Sequence, residues 1–478
     1  MGGDHHVLGH DNPQPWQGSD HKAYDPPGGW IEQRRGDLFG FLVFLTLAVY
    51  LVANRLVPDV FVLPVGLSIR PWEPILALLA LMWLAWLIVE PKPMPRGVLG
   101  LVALALLVVL VLSYFWNAPG YTQFEMEASR RGLLRVSLYA GLFMAAFHIA
   151  TNLRRARQIL TLISILTAIQ GTIAIFESIL QQRAVYLFHI WTGVGLIEDP
   201  NGIRGFSEFL KARPSGLPKV QSTAPHPITL SAVLALGALL TVTLYLHAPT
   251  KRQRRFYLLL LIPQVLALPV TNSRTGFFIL IIGGLVMAAL QIRRWPRALH
   301  LALGVTILMG IALAISPGTT SLILDSLTQP EQDPNIIVRV ERAELVPDLV
   351  ADRPLLGPGY ITTDVSKVLF DNAYYKALLE LGILGFLLLI TFFFLCFSRC
   401  FVALGLASPP EQPLLLAGAL GVLCLLAGGA TFDAWTFDQF FPTCLILLGI
   451  GAGRADMVLR DRIRRSTSPG SRHIVVSS

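Results

Sequence analysis

Charge is scarce in this chain of 478 residues: 14% are Asp, Glu, Lys or Arg, against 54% apolar, and mean hydropathy is +0.60. A soluble core needs far less apolar surface, so composition places most of the chain in lipid. Cysteine is nearly missing too. Cys396, Cys400, Cys424 and Cys444 all lie in or beside apolar runs, and no disulfide is expected in an outer loop. No P-loop of the form GxxxxGK[ST] is present, which excludes a built-in ATPase. No DxD-like cluster or His/Cys set argues for a catalytic metal, and no cofactor is expected. Residues 1–37 hold no apolar h-region and so no cleavable signal peptide. Polar and rich in Gly, Pro and His, they read as a disordered cytoplasmic tail. His5, His6, His10 and His21 are spaced too irregularly to argue for a metal site.

What is there is a series of about twelve apolar runs, at 38–57, 74–89, 98–116, 132–150, 158–180, 226–247, 256–271, 275–292, 298–315, 376–397, 412–430 and 436–453. Each comes close to the ~20 helical residues that cross ~30 Å of hydrocarbon. A backbone in lipid must satisfy its own hydrogen bonds, and no barrel-like alternation is visible, so these runs are expected to be helices. The net charge of +8 could indicate nucleic acid. Its basic residues instead form short clusters between apolar runs: Arg34 and Arg35, Arg154 to Arg157, Lys251 to Arg255, Arg293 to Arg297, and Arg460 to Arg465. With twelve spans and an inside N-terminus all of these fall on the cytoplasmic side, the pattern of a plasma-membrane protein. The expectation is an all-α integral membrane protein with both termini cytoplasmic. Its membrane domain spans 38–455, with large outer loops at 181–225 and 316–375, and 456–478 form a basic cytoplasmic tail.

Long ordered loops usually carry function. The second loop ends in Pro354-Leu355-Leu356-Gly357-Pro358-Gly359, followed by Asp371-Asn372-Ala373-Tyr374-Tyr375-Lys376 and then Leu379-Glu380-Leu381-Gly382-Ile383-Leu384-Gly385. That order resembles the signature of the O-antigen ligase and O-antigen polymerase superfamily of membrane glycosyltransferases, a "PLLGxG" turn and then "HNxYLxxLxExGxxG" opening a helix. Asp371 stands where many members have histidine, which makes the polymerase-like members the better comparison. The resemblance covers some thirty contiguous residues. It implies a GT-C-like fold and glycosyl transfer at the outer face, from a polyprenyl-diphosphate-linked glycan to a hydroxyl on a glycan or lipid acceptor.

Two further stretches are similar to family elements. Arg213-Pro214-Ser215-Gly216 to Pro225-His226-Pro227 resembles "RxxG…hPn", and Asn272-Ser273-Arg274-Thr275-Gly276 resembles "SRxG". The resemblance makes Arg213 a diphosphate ligand and puts Arg274 in the catalytic pocket. Read from the residues alone, Arg204, Lys211, Arg213 and Lys219 are outer-face cations that could equally meet lipid headgroups. Arg274 could be a snorkelling helix-end residue. Arg339 and Arg342, three apart, share a helix face and either meet phosphate or glycan, or are neutralised by Glu341 and Glu344. His226 either takes a proton or caps a helix. Asp371 and Asn372 are placed for catalysis or for capping. Pro354, Gly357, Pro358 and Gly359 form a tight turn that aims the loop end. Tyr374 and Tyr375 are belt residues or a sugar platform. Glu380, costly in lipid, is expected to face inward and pair with Lys376.

The chemistry that fits is metal-independent transfer. Arginines stabilise the departing lipid diphosphate, and family analogy makes Asp371 the base that takes the acceptor proton. A transporter or lipid-linked glycan flippase fits the same hydrophobic profile, but ion-coupled carriers place charges near the midplane, whereas these cluster at span ends. A cell-shape or division glycan polymerase lacks the paired motif.

Overall fold

The computed structural model describes residues 29–58, 68–91, 97–180, 220–290, 334–363 and 370–467, with a few short pieces between them. The apolar runs fold as helices: α1 (Gly29–Leu56), α2 (Trp72–Val89), α3 (Val98–Asn117), α4 (Gln123–Ile149), α5 (Leu153–Leu180), α6 (Pro227–Leu246), α7 (Lys251–Val270) and α8 (Arg274–Leu290). After the polar α9 (Pro334–Ala351) come α10 (Ala373–Leu404), α11 (Gln412–Thr431) and α12 (Phe441–Thr467). The only strands among the described residues are the two-residue pair β1 (Leu63–Pro64) and β2 (Ser68–Ile69).

Nine of these helices are long and apolar enough to cross a membrane. The runs expected at 256–271 and 275–292 form α7 and α8, of 20 and 17 residues; α7 opens on Lys251, Arg252, Arg254 and Arg255, and α8 is short. The run at 298–315 lies almost wholly outside the described residues, as do most of the expected loop 181–225 and residues 316–333. Helix reaches beyond the expected membrane boundaries, since α1 begins at Gly29 and α12 continues to Thr467.

Packing follows the distribution of side chains. Helices α6, α11 and α12 are buried over most of their surface, and α12 packs against α4, α10 and α11 while α6 packs against α7, α8 and α5. Helices α2 and α3 are mostly exposed on leucine, phenylalanine and tryptophan, a distribution suited to lipid and not to water. Helix α4 is started by a capping box, Thr122 accepting from Glu125 N–H while Glu125 accepts from Thr122 N–H.

One end of the bundle is polar inside. Arg55, fully buried, donates to Gln170 Oε1 at 3.1 Å and Thr443 Oγ1 at 2.8 Å. Gln170 in turn donates to Thr223 and Gln439, at 2.9 Å each. Buried Glu177 accepts from the backbone N–H of Gln221 and Ser222. Asp438, in the turn between α11 and α12, takes Arg70, Arg135 at 3.4 Å and the Tyr139 hydroxyl at 3.0 Å. Such a belt joins α1, α4, α5 and α12 with the segments at Arg70 and Gln221 to Thr223 and the α11–α12 turn, through bonds that lipid cannot compete for, which fixes the end of the bundle where the loops converge.

Candidate functional site

Helix α10 is broken. Gly382 has φ 68° and ψ 177° in an otherwise helical run, a conformation essentially confined to glycine. A break in lipid strands the carbonyls before it and the N–H groups after it. The Pro354–Gly359 turn supplies the partners: Ile383 N–H donates to Pro354 O at 2.9 Å and Leu384 N–H to Leu355 O at 3.3 Å, while Gly359 N–H donates to Glu380 O at 2.8 Å. The turn thus does more than aim the loop; it is a plug set into the gap of the helix. Helix α3 and the segment after it hold it from the other side. Ser113 donates to Gly357 O, Asn117 Nδ2 donates to Leu356 O and Gly357 O, and the Tyr121 hydroxyl donates to Pro358 O at 2.6 Å. At Gly132 of α4 the Tyr360 carbonyl comes so close that a Cβ would meet it at 1.9 Å. The two halves of the sequence motif are one interlocked unit.

Glu380 faces inward, as expected, but its chief partners are the backbone N–H groups of Ile361 at 2.9 Å and Thr363 at 3.2 Å. Lys376 lies 4.0 Å from Glu380 and only 2.6 Å from Asp433, in the α11–α12 turn. The other oxygen of Asp433, Oδ1, is buried with no hydrogen-bond partner among the described residues. Burial raises the Asp433 pKa above the ordinary aspartate range, against the pull of Lys376. Burial likewise pushes the Tyr360 phenol well up, and its hydroxyl donates to Trp435 O at 2.7 Å.

The capping alternatives resolve residue by residue. Asn372 is the N-cap of α10, its Oδ1 accepting from Tyr374 and Tyr375 N–H at 2.9 and 3.3 Å. Asp371 is not the cap; its side chain is 42% exposed and lies 3.9 Å from Arg342. Its carboxylate therefore has no structural duty at the helix start. His226 caps α6, Nδ1 accepting from Ile228 N–H at 3.1 Å.

The arginines divide. Arg339 Nη2 donates to Thr431 O at the C-terminus of α11, at 2.8 Å, where helix-end carbonyls favour a cation. Neither Arg339 nor Arg342 pairs with Glu341 or Glu344 among the described residues, so the neutralised face considered from sequence does not form. Arg274 is the first residue of α8, half-buried, beside Ser273, whose hydroxyl accepts from Ser231 of α6 at 2.9 Å. This brings the Arg274 turn against the first turn after His226. Arg204, Lys211, Arg213 and Lys219 lie outside the described residues. Tyr374 is a packing residue, T-shaped on Trp435 with centroids 5.0 Å apart and donating to Leu426 O. Among the described residues no three His, Cys, Asp or Glu side chains gather as a metal site needs.

Residues 256–390 match the O-antigen ligase family, a stretch that carries most of α7, all of α8 and α9, the plug, Asp371 and the break in α10. That match supports the resemblance to the O-antigen ligase/polymerase superfamily read from the sequence. The chain is a multi-pass membrane protein with the glycan-processing character of that family. No match is found among curated proteins. Sequence reading missed Asp433, which fell in the short connection between the expected spans 412–430 and 436–453, and Asp438, which fell inside the second of those spans; both sit in the turn between α11 and α12. Two carboxylates among Phe432, Trp435, Phe437 and Phe440 were the available signal, since acids in apolar surroundings need partners.

Proposed function

We propose that the protein transfers or polymerises a glycan at the outer face of the plasma membrane, from a polyprenyl-diphosphate-linked donor to a hydroxyl acceptor. The observation that supports this best is the half-exposed Asp371 carboxylate beside Arg342, with capping left to Asn372. The acceptor oxygen attacks the anomeric carbon, and its proton passes to Asp371. The anomeric carbon–oxygen bond breaks, and the polyprenyl diphosphate leaves with the electron pair. Arg274, Arg342 and Arg339, together with Arg213 and Arg204 from the preceding loop, hold the diphosphate and stabilise its developing charge. Each such fixed contact is worth ~3 kcal/mol, about two orders of magnitude in rate, so three supply the electrostatic work without a metal. The orientation rests on the basic clusters at 154–157, 251–255 and 460–464, at helix ends remote from the plug.

The test is transfer from a polyprenyl-diphosphate-linked glycan by the purified protein carrying Asp371→Asn. This variant leaves the Asn372 cap untouched, so loss of transfer with an unchanged elution profile is expected. Full activity in Asp371→Asn would remove the base role. Chains ending at one repeat in a deletion strain would indicate a polymerase, and full chains left on the carrier a ligase.

A further inference from the structure

Glu177 is a buried carboxyl that the transfer chemistry does not use, and it stands where burial is costly. It lies in the last turn of α5, where the helix carbonyls disfavour an anion, and it is 3% exposed, so its charge is cut off from water. What holds it there is backbone. Oε1 accepts from Ala184 N–H at 3.1 Å, while Oε2 accepts from Gln221 N–H at 3.0 Å and Ser222 N–H at 2.7 Å. Consecutive N–H groups converging on one oxygen form an anion-binding nest, and bonds to an ionised acceptor are the strong kind.

The three donors belong to the two ends of one segment. Ala184 lies just past the end of α5, and Gln221 and Ser222 lie just before α6, so one carboxylate ties the entry of the connection to its exit. The exit is strained, since Ser222 has φ 53°, a conformation that residues other than glycine adopt sparsely and only when their surroundings impose it. The Ser222 hydroxyl and Gln221 Oε1 are buried without hydrogen-bond partners among the described residues, so their backbone, not their side chains, is what the fold grips. Next along, Thr223 is bonded to the bundle, its hydroxyl donating to Arg55 O at 2.6 Å and its carbonyl accepting from Gln439 at 2.9 Å. Glu380 repeats the device where the chain turns toward Asp371, accepting from Ile361 N–H, a residue at φ 65°. We propose that Glu177 is a positioning residue, whose carboxylate clasps both ends of the α5–α6 connection and thereby presents its Arg204 and Arg213 to the donor diphosphate. The inference rests on the diphosphate reading of those arginines; the clasp itself needs no turnover. Without it the connection spends part of its time open, and only the closed fraction binds donor. Apparent donor affinity falls by that fraction, while saturating donor draws the connection shut again. The signature is a raised donor KM at an unchanged kcat, whereas loss of an arginine that stabilises the leaving group lowers kcat itself.

The experiment is Glu177→Gln in the purified full chain, assayed with a polyprenyl-diphosphate-linked glycan as the varied substrate. The amide keeps the shape of the carboxylate but turns an NH2 group toward N–H donors at one of the two ends. Donor KM should rise at least about tenfold with kcat within about threefold of wild type. Without substrate, amide hydrogen exchange in the peptides that hold Ala184 and Gln221–Ser222 should accelerate by about tenfold or more. Ala184→Pro removes only the entry-side donor and should move KM in the same direction should the first variant misfold. Cysteines at Ala184 and Gln221 in the Glu177→Gln background, joined by a reducible bifunctional thiol cross-linker, replace the clasp covalently; the four native cysteines are buried. Cross-linking should bring donor KM back toward wild type, and reduction should undo the rescue. Wild-type KM in both Glu177→Gln and Ala184→Pro, or no rescue by the cross-link, would reduce Glu177 to a packing residue. Unchanged exchange in Glu177→Gln would overturn the clasp whatever the activity shows. Wild-type product from Arg213→Ala would overturn the diphosphate reading and the positioning role with it while leaving the exchange result in place, so the two failures are read separately.

Discussion

Replacing Gly382 by alanine tests the plug directly. The backbone conformation there costs a non-glycine residue about 1–3 kcal/mol. An added Cβ would also meet Leu355 O at 2.5 Å and Gly357 N at 2.7 Å, and both are backbone atoms that cannot step aside. Relief requires withdrawing the turn, which gives up the three hydrogen bonds to Glu380, Ile383 and Leu384, each worth roughly 0.5–1.5 kcal/mol net. A cost of about 2.5 kcal/mol or more follows, on the order of a hundredfold in the population of the undocked turn. The reporter is Thr362→Cys, because Thr362 is 4% exposed directly after the plug and all four native cysteines are buried. Reaction with a water-soluble maleimide should therefore accelerate about a hundredfold in Gly382→Ala. Gly284→Ala is the control, since nothing lies within 4 Å of its would-be Cβ and alanine favours a helix by up to ~1 kcal/mol. A rate in Gly382→Ala within threefold of that control would refute the interlock.

Arg274→Lys keeps the charge but loses the planar fork, so transfer should fall more than tenfold at normal expression; wild-type product from Arg274→Ala and Arg213→Ala would make both headgroup anchors. Cysteines at Ser215 and Ser366 should react with an impermeant thiol reagent on intact cells while one at Ser466 does not, and the reverse pattern would invert the orientation. Lys376→Met leaves Asp433 and Glu380 without their cation, and loss of one partner from a buried pair costs ~3–5 kcal/mol, so the variant should denature well below wild type in a thermal scan. Lys376→Met combined with Asp433→Leu should recover most of that loss, and no recovery would show that the pair is not what Lys376 serves.

The apolar runs by themselves determined that the chain lies in lipid, that it is helical, and where most helices run, because a spanning helix is specified by local length and composition alone. The paired motif was legible as far as the family and the candidate residues Asp371 and Arg274. Sequence spacing placed Asp371 and Asn372 together at a helix start but could not divide their duties; the extended backbone of Asn372 and the bonds its side chain accepts from Tyr374 and Tyr375 N–H give it the cap and free Asp371. It found Lys376 and Glu380 one turn apart, yet the nearer partner of Lys376 stands 57 residues on, at Asp433. The plug was out of reach for the same reason. The need for Gly382 to break a helix and for Pro354–Gly359 to fill the gap arises only when segments distant in sequence meet, and hydrogen bonds between them carry no periodicity for a sequence to display. What tertiary structure alone decided is which buried polar groups face one another, since in lipid each must find a partner and the chain's fold determines which one it finds.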